Sequence, residues 1–117
     1  MRYLLLIYSP EIDDSQIPPE EQQRTLEAYN AFGREASDRK VMLGGEALSP
    51  TSTATTVRVR NGETLMTDGP YAETKEALGG YYLLDVKDLD EALEFAAKIP
   101  GAQSGAVEVR PIWEFGG

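Results

Sequence analysis

The chain contains no cysteine and no histidine. Without cysteine there is no disulfide, thiol nucleophile or thiolate metal site, and without histidine the commonest general base and metal ligand is missing too. Basic residues are scarce. Eleven Lys and Arg against 20 Asp and Glu leave a formal charge of −9, which repels phosphate backbones and anionic membranes and argues against nucleic acid as a partner. Long apolar runs are absent as well. Tyr3 to Tyr8 falls short of a signal-peptide core of about 7–15 residues and far short of a membrane span of about 20. No membrane association and a cytoplasmic location are therefore expected. What is present, 117 residues of which 41% are hydrophobic and 26% charged, reads as one globular domain over residues 1–117 with enough chain to bury a core.

Tyr3 to Tyr8 is a short unbroken apolar run closed by Ser9-Pro10, the pattern of a strand buried on both faces. Pro18-Pro19-Glu20-Glu21 then opens a helix, with prolines in or before the first turn and negative charge at the positive helix end. Leu26, Tyr29, Phe32 and Ala36 recur at helical spacing and carry it to about Arg39. A strand from Val41 to Leu48 follows, in which Gly44-Gly45 predicts a bulge or the close approach of another backbone. Thr53 to Arg60, Asn61-Gly62 and Leu65 to Thr67 make a hairpin. Tyr81 to Val86 is a second continuous apolar strand. Asp88 and Glu91 then have capping-box spacing for a helix starting near Leu89, with Leu89, Ala92, Leu93, Ala96 and Ile99 as its apolar set. Ala106 to Trp113 is the last strand, and Pro111 marks it as an edge or a strand end.

This order is α+β and ferredoxin-like, βαββαβ with an added β-hairpin. The first and third main strands carry the continuous apolar runs and belong in the centre of the sheet. Both helices cover one face, so Leu4, Leu6 and Tyr8 need a cover on the other. The simplest cover is a second copy stacked sheet on sheet about a two-fold axis, a homodimer enclosing a cavity.

Between the hairpin and the third main strand lies Asp68 to Gly80, which packs a rigid Asp-Gly-Pro turn, three carboxylates and a lysine into one segment. If Val107 and Val109 pack under the helices, Glu108 and Arg110 look into the dimer cavity. Arg110, Asp68, Tyr82 and Glu46 would then converge on a small-molecule pocket, with Glu73, Lys75 and Glu76 ringing its mouth. Asp68 and Arg110 are the candidate catalytic residues: a desolvated carboxylate serves as acid or base, and arginine clamps a carboxylate ligand. The plainer reading is that Asp68 caps its turn, that Glu73, Lys75 and Glu76 form ion pairs, and that Arg110 neutralises a neighbouring acid. The carboxylate spacing matches no compact cation loop and Gly44-Gly45 is no phosphate loop, so neither a metal nor a nucleotide cofactor is expected.

Asp68-Gly69-Pro70-Tyr71, Glu73-Thr74-Lys75-Glu76 and Gly79-Gly80-Tyr81-Tyr82, followed by Asp90-Glu91-Ala92 and Val109-Arg110-Pro111, resemble the DGPF group of YCII-related proteins over nearly the whole chain. Tyr71 stands where that group has phenylalanine. The resemblance implies a ferredoxin-like dimeric α/β barrel. It also implies that some relatives are cofactor-free lyases or dehalogenases acting on lactone-type substrates through a histidine–aspartate pair. That pair has no histidine to occupy here. DGPF proteins further occur beside extracytoplasmic-function sigma factors, which suggests a regulatory or accessory role. Two functions are thus expected: a small-molecule binder, extending to a cofactor-independent lyase or isomerase, or a non-enzymatic accessory protein that engages a partner.

Overall fold

Tyr3 to Tyr8 form the heart of β1 (Arg2–Pro10), and the structure, a computed structural model that describes residues 1–12 and 14–115, puts that strand in the middle of its sheet. Asp13, Gly116 and Gly117, which the 1–117 domain expectation includes, lie outside the described residues. Then come α1 (Pro19–Asp38), β2 (Met42–Ala47), β3 (Thr55–Arg60), β4 (Glu63–Asp68), β5 (Glu76–Asp85), α2 (Leu89–Lys98), α3 (Gly101–Ser104) and β6 (Ala106–Pro111). One antiparallel sheet has the order β2-β5-β1-β6, and β3 pairs only with β4 in a second sheet. With the hairpin set aside, this is the ferredoxin-like fold, its first and third main strands central as their apolar runs require.

Side-chain alternation along β1 gives the sheet two unlike faces. Tyr3, Leu5 and Ile7 are buried with Leu84 and Val86 beneath Phe32, Ala36, Ala92, Phe95, Ala96 and Ile99 of the helical layer. Leu4, Leu6 and Tyr8 point the other way, in register with Leu83 and Tyr81, and all five are only half-buried. Among the described residues no helix covers that open face.

The helices pack differently from their sequence pattern in two places. α2 buries Phe95 together with Ala92 and Ala96, whereas Leu89 and Leu93 of the expected apolar set are each 47% exposed. The Phe95 ring meets Phe32 edge-on at 6.2 Å, and that aromatic contact turns the buried face of α2 away from the two leucines. In α1 only Phe32 and Ala36 are buried, while Leu26 is 54% exposed. The first half of α1 thus stands off the sheet.

Helix ends follow the sequence closely. Asp88 accepts a hydrogen bond from the Glu91 N–H at 2.9 Å, the N-cap interaction expected from the spacing, and the Glu91 carboxylate accepts from Lys87 N–H. Asp88→Ala is expected to destabilise the protein by about 1 kcal/mol. Urea denaturation checks this, and an unchanged midpoint would deny the cap its role. Arg39 joins the helices by pairing with Glu91 at 3.0 Å and Glu94 at 3.2 Å while lying over the Phe95 ring. The hydrogen bond from Arg39 holds the Glu94 carboxyl below its ordinary range. Its contribution is present at neutral pH and is lost as pH falls through that lowered value.

The hairpin turns at Asn61 and Gly62 with φ of 52° and 79°, the left-handed pair of a two-residue turn. None of its strand residues is buried, and the radius of gyration, 16.4 Å, exceeds the about 13–14 Å of a compact chain of this length. The hairpin is an arm beside the main sheet. Among the described residues no helix is long and apolar enough to cross a membrane.

Candidate functional site

Where α1 stands off the sheet, it leaves a pocket of about 800 Å³. Its roof is one helical face, since Gln22, Thr25, Leu26 and Tyr29 recur at spacings of three and four. Its floor is made of Ile7 and Tyr82 with Gly45 and Gly80 between them, on strands whose register sets Gly45 opposite Tyr82 and Gly80 opposite Ile7 and Ala47. Those glycines are required by contact as well as by space. A Cβ on Gly45 would lie 2.5 Å from the Tyr82 ring and 2.8 Å from the Tyr81 carbonyl, and one on Gly80 would lie 2.9 Å from the Glu46 carbonyl. Side chains are thereby missing from the floor just where the helix lifts away.

Two phenols bring polarity to this apolar space. Burial pushes the Tyr29 hydroxyl above its ordinary pKa, against a smaller opposing effect of the nearby Gly101 backbone. Burial also raises Tyr82, with a lesser contribution from the neighbouring Tyr29. Both therefore stay protonated at neutral pH and act as hydrogen-bond donors. The Tyr82 ring is wedged against Phe32, centroid to centroid 4.7 Å. Among the described residues its hydroxyl has no hydrogen-bond partner. Among the described residues no three or more Asp or Glu side chains are grouped to hold a metal ion.

The residues singled out in the sequence do not converge within the protomer. Arg110 is on the open face, as the parity of β6 requires, but it is paired with Glu108 and strongly exposed. It lies opposite Leu4, whereas Glu76 lies opposite Pro10, so Arg110 and Glu76 are about 20 Å apart along β1. Glu46 shares the open face with Arg110 but belongs to β2, the other edge strand, three strand spacings or about 14 Å across the sheet. Tyr82 faces the helices, opposite to Arg110, so the proposed grouping of Tyr82 with Arg110 is corrected by one step of strand parity.

Asp68 ends β4 with its side chain exposed and without a hydrogen bond among the described residues. The turn after it is held by backbone instead. Gly69, at φ 105°, donates to the Ala54 carbonyl at 2.7 Å, and its own carbonyl accepts from the Thr56 hydroxyl at 2.9 Å. Arg58 lies 5.0 Å over the Tyr71 ring. Glu73 and Lys75 line a smaller hollow of about 390 Å³ with Glu11 and Thr51, and Thr74 bonds to the Glu76 carbonyl. Glu76 to Gly80 are strand rather than loop, because β5 extends past Tyr81 to pair with Pro10. The glycine end of the segment reaches the helix-side pocket and its charged middle does not.

The family model for the YCII-related domain matches residues 1–116. The chain belongs to the YCII-related family. An uncharacterized protein of Rhizobium meliloti (strain 1021) is 40% identical over 114 residues, which cover 96% of this chain and 92% of the relative. In this YCII-related chain, then, the pocket is built from phenols, glycines and aliphatic groups. Tyr29, Gln22 and Thr25 were missed as pocket residues because helical spacing assigns Leu26 and Tyr29 to a packed core. The available signal was the pair of diglycines, 44–45 and 79–80, on two strands that the ferredoxin-like order makes neighbours.

Proposed function

We propose that this YCII-related protein binds a small molecule in the pocket between α1 and the glycine floor of each protomer, and that two protomers join through their open sheet faces as a dimeric α/β barrel. One observation carries the binding reading: a mostly apolar space of about 800 Å³ with a few inward polar groups, within the size range of small-molecule sites. The dimer reading draws on the five half-buried apolar residues of the open face. The site moves from the cavity between sheets that the sequence suggested to the helix side of one sheet. Lyase or isomerase chemistry is not part of the proposal, since Asp68 and Arg110 both lie away from the pocket lining.

Indole, a neutral ring, serves as a probe. It is expected to shift the backbone amide resonances of Leu26, Gly45 and Gly80 in a saturable titration. Thr25→Trp, which adds bulk to the roof at an exposed helix position, is expected to weaken that binding by about tenfold with the fold intact. Indole shifting only open-face amides, or binding Thr25→Trp equally well, would contradict the reading. A second reading, the accessory protein implied by the DGPF resemblance, draws on the arm, where Val57, Val59 and Met66 share one face and are 58%, 59% and 72% exposed. Its partner would be lost from pull-downs by Met66→Asp, and recovery of the protein alone would remove it.

A further inference from the structure

The lining of the helix-side pocket restricts what it can hold, and the argument here rests on the pocket being the binding site. Among the described residues no lysine or arginine lines it. The one charged residue among the described lining, Glu46, sits at a strand position whose side chain points to the open face, so its backbone forms the wall. A carboxylate or phosphate entering would give up its hydration without meeting a countercharge, in a protein of net charge −9. The positive end of α1 offers little relief, because Glu20 and Glu21 occupy its first turn.

Cations fare no better. An aromatic cage needs open ring faces, but Phe32 packs on the Tyr82 ring at 4.7 Å and Gly45 approaches it so closely that a Cβ there would be 2.5 Å away. What the pocket offers is a mostly apolar wall with uncharged polar groups, those of Ser9, Gln22 and Thr25 beside the two phenols. The Tyr29 hydroxyl lies against the Gly101 backbone, and the half-buried Tyr82 residue has no hydrogen bond from its hydroxyl among the described residues. No side-chain oxygen among the described residues is both buried and unpartnered, so this hydroxyl touches solvent, and an acceptor on the ligand takes the place of water there.

We propose that the pocket takes an uncharged, ring-containing molecule that presents a carbonyl, ether or ring-nitrogen acceptor to the Tyr82 hydroxyl. Acetophenone and benzoate, alike in size but unlike in charge, test this by titration with amide resonances as the readout. Acetophenone is expected to shift Leu26, Gly45 and Gly80 with a Kd about tenfold or more below that of benzoate. Tyr82→Phe keeps the ring against Phe32 and removes only the hydroxyl. It is expected to weaken acetophenone about fivefold while leaving benzoate and the melting temperature unchanged.

Benzoate binding in the pocket as tightly as acetophenone, or acetophenone binding Tyr82→Phe as well as the parent, would overturn the ligand class while leaving the pocket reading standing. Failure of both probes and of indole to shift the pocket amides would overturn the two together.

Discussion

Phe95→Ala is expected to destabilise the protein by about 3–5 kcal/mol, a large share of the about 5–15 kcal/mol that holds a domain of this size folded. Phe95 is fully buried, meets Phe32 edge-on, and has the Arg39 and Lys98 cations at 4.4 and 5.6 Å from its ring centre. The substitution leaves a void that fixed strands on one side and two helices on the other cannot close. It also withdraws the ring against which the Arg39 and Lys98 ion pairs are set. The urea midpoint should fall steeply and the melting temperature by about 15 °C. Phe95→Leu should lose roughly a third of that. A loss below about 1 kcal/mol for the alanine variant would mean that the helical layer is not held by this ring.

Leu6→Asp is expected to convert a dimer into a folded monomer. Leu6 sits mid-sheet on the open face, between Tyr81 and Glu108, so the aspartate adds no charge to the protomer core but sets two carboxylates at the seam of the proposed dimer. The dissociation constant should rise by about a hundredfold or more, equal to about 2.7 kcal/mol. Sedimentation of both proteins over a range of concentrations measures it. A parent chain that sediments as a monomer throughout would remove the two-sheet barrel, and the helix-side pocket would remain, since one protomer lines it alone.

The two apolar runs, the hairpin turn and the Asp88 cap were legible because each depends on local chemistry: continuous burial, left-handed backbone, a carboxylate three residues from an orphan N–H. Strand parity was legible as far as β6, and it put Glu108 and Arg110 on the open face. It was not carried through to Tyr82, because which β1 residue Tyr82 lies opposite is set by the pairing of two strands distant in sequence, and that pairing puts it beside Leu5 on the helix side. The pocket was illegible for a related reason. Whether an amphipathic helix packs along its whole length depends on what the sheet presents beneath it, and here the sheet presents glycines under Leu26 and Tyr29 but full side chains under Phe32 and Ala36. The Asp68 to Gly80 segment looked like one unit in sequence; in space its turn belongs to the arm and its glycines to the pocket floor.

The most direct measurement is a high-resolution crystal structure of the protein soaked with acetophenone. Density for the ring between Leu26 and the Gly45–Gly80 floor, with the carbonyl oxygen at about 2.8 Å from the Tyr82 hydroxyl, is the expected result. Density for the probe between the sheets of two copies beside Arg110, with the helix-side space closed by Leu26 and Tyr29 packed onto the sheet, would contradict it.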